Sequence, residues 1–138
     1  MSQLVRTSIA LEKPLADRLA RLVRESGCTN RSEYLRDLLR EKLVELEWER
    51  DATVVGTLTL VYDHARRRLS ERLTDLQHHH HKAILATTHV HLGAHVCVEV
   101  IIVRGAAGAV KRIADELRRQ KGVLHAALSL STTGKALE

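Results

Sequence analysis

The sequence predicts an α+β protein of two modules: a short strand with two helices, then a β-α-β-β-α-β sandwich of the ferredoxin-like kind. Three observations carry this reading. Residues 5–11, Val-Arg-Thr-Ser-Ile-Ala-Leu, alternate at the strand period; two leucine stripes at helical spacing follow closely; and beyond Thr53 segments of period 2 alternate with segments of period 3.6.

In the first module, Thr7, Ile9 and Leu11 share one strand face, and Arg6, Ser8 and Ala10 the other. Pro14 suits the first turn of a helix whose stripe, Leu15, Leu19, Leu22 and Val23, stops near Ser26-Gly27. Asn30-Arg31-Ser32-Glu33 has the form of a capping box. Leu35, Leu38, Leu39, Leu43 and Leu46 continue the second helix to about Trp48-Glu49-Arg50. One strand and two helices of about 45 residues leave an open edge and too small a core, so two copies are expected to pair strand to strand.

The second module begins with a strand from Thr53 to Tyr62, followed by a helix carrying Ala65, Leu69, Leu73 and Leu76 and closed by His78-His79-His80-His81. Strands at about 83–91 and 95–104, a helix with Val110, Ile113 and Leu117, and a strand at about 122–130 complete the order. The expected domains are 1–50 and 53–138.

Composition sets limits on class. Of 138 residues 44% are hydrophobic but only 2% aromatic, so the core is aliphatic. Apolar stretches such as Val96–Val103 fall short of the roughly 20 residues that span a bilayer, and Met1-Ser2-Gln3 opens no signal-peptide core; a cytoplasmic, membrane-free protein is expected. Cys28 and Cys97 are the two cysteines and neither lies in a Cys-x-x-Cys unit, which suits a reducing compartment. The net charge of +5 allows nucleic acid as a partner. Residues 1–50 contribute little of it, with 10 Lys/Arg against 9 Asp/Glu, so affinity for DNA must come from where charges sit.

Histidine and cysteine placement points to a metal. His89 and His91, two apart on a strand, project from one face. A three-residue loop at Leu92-Gly93-Ala94 would set His91 opposite His95 and His89 opposite Cys97, bringing two imidazoles and a thiolate together. The alternation Val96, Val98, Val100, Ile102 matches the opposite face, which holds Val90, Ala86 and Ile84, and puts Glu99 beside Cys97, where it could orient a ligand. A fourth donor is expected from the histidine run. With residues 79–91 mostly extended, His78 would lie roughly 36 Å from His89 at about 3.3 Å per residue, so a histidine of the run is expected to complete the site of another subunit. Three nitrogens and one sulfur leave the metal open: tetrahedral closure suits zinc, a planar site nickel or copper.

The segments Arg6-Thr7-Ser8-Ile9-Ala10-Leu11, Asn30-Arg31-Ser32-Glu33, Gln77-His78-His79-His80-His81, His89-Val90-His91 and Cys97 resemble the nickel-responsive repressors of the NikR family over nearly the whole chain. The resemblance implies a ribbon-helix-helix domain joined to an ACT-like nickel-binding domain in a homotetramer that is a dimer of dimers. It implies about one nickel per subunit, planar, on His89, His91, Cys97 and His78 of a neighbouring subunit. It also implies repression of nickel uptake by operator binding rather than an enzyme, base-facing positions at Arg6, Ser8 and Ala10, and a weaker cation site at Glu33 and Asp37. Many family members carry threonine where Ser8 and Ala10 stand, which leaves the operator open. In this frame Arg6 is the candidate for a guanine contact, and the helix N-terminus at Asn30 and Arg31 is the candidate for phosphate contacts. The same residues would also serve a zinc or nickel storage protein that uses its first module only to dimerise.

Overall fold

The computed structural model describes residues 3–137. The chain divides into a smaller unit, residues 3–43 with 136–137, and a larger one, Val44–Lys135.

In the smaller unit residues 3–12 form neither helix nor ladder and are exposed throughout. The strand expected over 5–11 has no partner strand within one chain to supply its hydrogen bonds. Helix α1 is Lys13–Ser26, with Pro14 in its first turn and Gly27 in the left-handed conformation (φ 76°) that ends it. Helix α2 is Arg31–Glu49. Its start is the expected capping arrangement: Asn30 Oδ1 accepts from the Glu33 amide at 3.0 Å. The Glu33 carboxylate reaches back to the Thr29 amide at 2.8 Å and hydroxyl at 2.7 Å. No side chain of α1 is buried, and Leu15, Leu22, Leu38, Leu39 and Leu43 stay exposed.

The larger unit has the predicted β-α-β-β-α-β order: β1 Thr53–Asp63, α3 Leu69–His79, β2 Ile84–His91, β3 Val96–Ala106, α4 Ala107–Arg118 and β4 Val123–Leu130. The sheet order β2-β3-β1-β4, with all three pairings antiparallel, makes one sheet layer. Leu58, Leu60 and Tyr62 of β1 and Cys97, Ile101 and Val103 of β3 alternate onto a buried face with Leu69 and Leu73 of α3 and Val110, Ile113 and Leu117 of α4. Burying each of the larger aliphatic side chains stabilises the unit by about 1.5–3 kcal/mol. Trp48, 4% exposed, joins this core and donates its indole N–H to the Ser131 carbonyl at 2.8 Å.

Three local expectations are corrected. Helix α3 starts at Leu69, so Ala65 is not in it: the Asp63 side chain accepts from the Ala65 amide at 3.0 Å, and Arg68 is left-handed (φ 62°) just before the helix. The β2–β3 hairpin pairs His91 with Cys97 and His89 with Glu99, two residues away from the expected register. The tip is Gly93-Ala94-His95, closed by the Leu92 amide on the Val96 carbonyl at 2.9 Å. Because the shift is an even number, side chains from Ala86 to His91 keep their predicted faces. Lastly, a register irregularity between Ile84 and Ala86 moves Ile84 off the face of Ala86, Thr88 and Val90.

Candidate metal centre

The register defines the site. His89 and Glu99 are opposite one another, as are His91 and Cys97, and Tyr62 of β1 pairs with Cys97 from the other side. All five project toward the helix-covered face, at the end of the sheet away from α4's N-terminus. Cys97 is fully buried, whereas His89 and His91 are exposed on the edge strand.

His91 Nδ1 lies 3.2 Å from Cys97 Sγ. His64 Nδ1 lies on the same sulfur, also at 3.2 Å. Ligand atoms of His64, His91 and Cys97 all fall within 4.8 Å of one another, and no other group of three such donors converges among the described residues. His89 stands beside this group, its ring 5.0 Å from that of His91, with Nδ1 3.3 Å from the Tyr62 hydroxyl. Burial, with Glu99 and Cys97 nearby, pushes the Tyr62 phenol up to about 12. Tyr62 therefore stays a neutral phenol over the physiological range, able to donate to His89.

His64 is held by its backbone. The chain leaves β1 at Asp63, and the His64 amide donates to the His95 carbonyl in the hairpin tip at 2.8 Å. Sequence reasoning leaves this residue as a lone histidine without an assigned role. The signal available was the alternation Leu58, Leu60, Tyr62, which carries one step further to His64 on the same face.

The histidine run closes α3 as expected, and His78 and His79 are its last two residues. His78 does not join the convergent group within the chain. It lines a cavity of about 370 Å³ with Thr74, Gln77, His81, Ile84, Thr87 and Glu99. Residues 84–91 are extended as strand β2, but the separation expected from an extended 79–91 segment is overturned, because the chain turns back after α3 and the Thr87 hydroxyl donates to Gln77 Oε1 at 2.8 Å. His80 Nε2 meets a Glu116 carboxylate oxygen at 2.7 Å and His81 Nδ1 meets the His78 carbonyl at 3.0 Å, so these two imidazoles have structural partners. His125 is exposed on β4, opposite Val61 on the other sheet face.

Glu99, 7% exposed, accepts from Gln77 Nε2 at 2.7 Å rather than from a histidine. Through Gln77 it links the residue before His78 to strand β2 two residues before His89. Glu33 is engaged in the α2 cap, and the Thr29 hydroxyl and amide hold its carboxyl below the usual carboxylate range. Asp37 pairs with Arg40 at 3.4 Å. Arg6, Ser8, Ala10, Asn30 and Arg31 are all exposed.

The donors suit nickel: a thiol and two imidazoles already sit at contact distance with further histidines beside them, and this N/S set serves borderline metals. A ribbon-helix-helix unit ahead of a domain with such a centre defines the class of metal-responsive DNA-binding regulators, not enzymes. The comparisons narrow it. Residues 55–131 match the NikR C-terminal nickel-binding domain, and residues 5–46 match the ribbon-helix-helix proteins of the CopG family. A protein of Geobacter sulfurreducens described as a nickel-responsive regulator is 49% identical over 138 residues, with 99% of each chain covered. Relatives so described from Solibacter usitatus, 48% identical with both chains fully covered, and Caldanaerobacter subterraneus, 43% identical over 97% of this chain and 88% of its own, agree. The chain belongs to the family of nickel-responsive regulators. A structure of an uncharacterised Thermotoga maritima protein, 14% identical with a TM-score of 0.51 over 56% of this chain and 96% of its own, shares the fold.

Proposed function

We propose that this protein is a nickel-activated repressor of nickel uptake, working in the cytoplasm as a homotetramer formed from two ribbon-helix-helix dimers. The observation that carries the reading is the pairing of His91 with Cys97, imidazole nitrogen 3.2 Å from sulfur, on the face that also holds His89. In this reading His89, His91 and Cys97 bind about one nickel per subunit together with His78 of a neighbouring subunit. Bound there, nickel supplies a strut between subunits, favouring the tetramer arrangement in which it binds best. Gln77 and Glu99 hold α3 against β2 and β3, keeping His78 and the strand donors at fixed places on one subunit.

In the dimer, residues 5–11 of two chains pair as a ribbon that enters the major groove. Arg6 contacts a guanine, Ser8 and Ala10 face neighbouring bases, and the α2 N-termini at Asn30 and Arg31 meet phosphates. A cation at Glu33 and Asp37 would have to share Glu33 with the Thr29 hydrogen bonds, so its occupancy trades against the α2 cap.

A gel-shift assay on DNA from the region upstream of nickel-transport genes, with nickel and with chelator, tests the reading. Binding should require nickel. Nickel uptake into the protein without any metal-dependent DNA binding would establish a storage role instead.

A further inference from the structure

We propose that Tyr62 is a positioning residue for the metal centre: its hydroxyl accepts from the Nδ1–H of His89, which fixes the tautomer of that imidazole and leaves Nε2 as the nitrogen that meets nickel. The hydrogen-bond assignment stands on the geometry of one chain; its consequence for nickel rests on the reading of His89 as a ligand given above.

Tyr62 is 1% exposed, and its hydroxyl lies 3.3 Å from His89 Nδ1. The two rings meet edge to face, with centroids 6.0 Å apart and planes at 87°. A neutral imidazole carries one hydrogen, and the partner of one nitrogen decides which nitrogen holds it. The phenol also has a single proton. Besides His89 it faces the Glu99 carboxylate, which accepts from it, and the Ser70 hydroxyl, which donates to it. A carboxylate can only accept, and its charge makes such a bond roughly twice as strong as one to a neutral acceptor. Able to donate to either neighbour, Tyr62 gives its proton to Glu99 and turns a lone pair toward His89, whose Nδ1 must then carry the hydrogen.

Glu99 is itself fixed. Gln77 Nε2 donates to it at 2.7 Å, and the Thr87 hydroxyl donates to Gln77 Oε1 at 2.8 Å. Two strings of hydrogen bonds therefore start on β2, at Thr87 and at His89, and converge on the one buried carboxylate of β3. A partner on the far nitrogen holds a ligand imidazole in orientation and raises its basicity, which is the service Tyr62 performs for His89. His91 turns the opposite nitrogen inward, since its Nδ1 faces Cys97 Sγ at 3.2 Å.

Nitrogen-15 NMR of the metal-free full chain, at about pH 8 to keep imidazoles neutral, reads the tautomer directly. His89 should carry its hydrogen on Nδ1. Tyr62→Phe keeps the ring and its packing but removes the hydroxyl, so His89 should relax to the mixture of an unpartnered imidazole. Glu99→Gln, its oxygen held by Gln77 Nε2, presents an amide N–H to the phenol; Tyr62 should then donate to Nδ1 and the His89 hydrogen move to Nε2. A packing fault alone would not reverse a tautomer in this way. With nickel chloride as the probe, Tyr62→Phe should bind roughly 10- to 100-fold more weakly while keeping the sulfur-to-nickel absorption band. A His89 hydrogen on Nε2 in the unaltered chain, or an unchanged tautomer in Tyr62→Phe, overturns the assignment, whereas the regulatory reading is judged separately by nickel-dependent DNA binding of the unaltered chain.

Discussion

Cys97 is the residue on which the proposed nickel chemistry turns, because it is buried among core side chains yet touches two imidazoles that reach solvent. Cys97→Ala removes a small side chain, so a stability loss of about 1 kcal/mol is expected by urea denaturation. The sulfur-to-nickel band and nickel-dependent DNA binding should vanish with it, and a variant that keeps both would show the sulfur is no ligand. Glu33 offers a second test at this scale. Its folded carboxyl is held low, first by the Thr29 hydroxyl and then by the Thr29 amide, so its contribution to stability is complete above the unfolded pKa and lost as pH falls through the lowered folded value. Carboxyl-carbon NMR should find Glu33 below the ordinary range, and Thr29→Ala should move it partway back, since the amide bond survives. The shared face of His89, His91, Cys97 and Glu99 was legible in the sequence because strand parity is a local property. His64 was legible only in part: the β1 alternation points to its face, but its place against the sulfur depends on the turn after Asp63 meeting the hairpin tip, a contact between residues 31 apart in the chain.

At the scale of elements, helix spans followed the leucine stripes closely, and the capping box was readable because its partners lie within four residues. The hairpin was harder. Hydrophobic alternation fixes register only to even shifts, so the sequence determined which side chains share a face and left the partner of His91 two residues in error. The failed extended estimate for His78 has a related cause, since the return of α3 over the sheet follows from burying Leu69 and Leu73 rather than from local spacing. Strand β1 supplies a prediction. An added Cβ at Gly56 would meet Leu128 Cδ1 at 3.1 Å, and Trp48 Cη2 and Val110 Cγ1 at 3.2 Å each. Alanine normally gains over glycine in a strand, but here three core side chains would have to yield. Gly56→Ala should therefore destabilise the protein by about 1 to 3 kcal/mol in urea melts, and a neutral or stabilised variant would mean the core accommodates the methyl freely.

At the scale of the whole molecule, the smaller unit cannot be explained by one chain. Leu15, Leu22, Leu38, Leu39 and Leu43 are exposed, and residues 3–12 have no ladder, which is the condition of half an interface rather than of a finished domain. The same need for neighbours is proposed at the metal centre, and there it can be tested by mixing. His78→Ala subunits retain the His89-His91-Cys97 cluster but offer no neighbour ligand; Cys97→Ala subunits offer His78 but lack a competent cluster. Each variant alone should fail to bind DNA in response to nickel. Unfolded together and refolded at equal amounts, about one quarter of the inter-subunit pairings would join an intact cluster to an intact His78 if assembly is random. The readout is nickel-dependent DNA binding, because the strand donors that remain on His78→Ala subunits can give a sulfur-to-nickel band without the neighbour's ligand. Partial recovery in the mixture places the fourth ligand in a neighbour. No recovery, from a mixture shown by mass spectrometry to contain hybrid tetramers, would place His78 in the same chain as the cluster, which the return of α3 onto the sheet makes physically accessible.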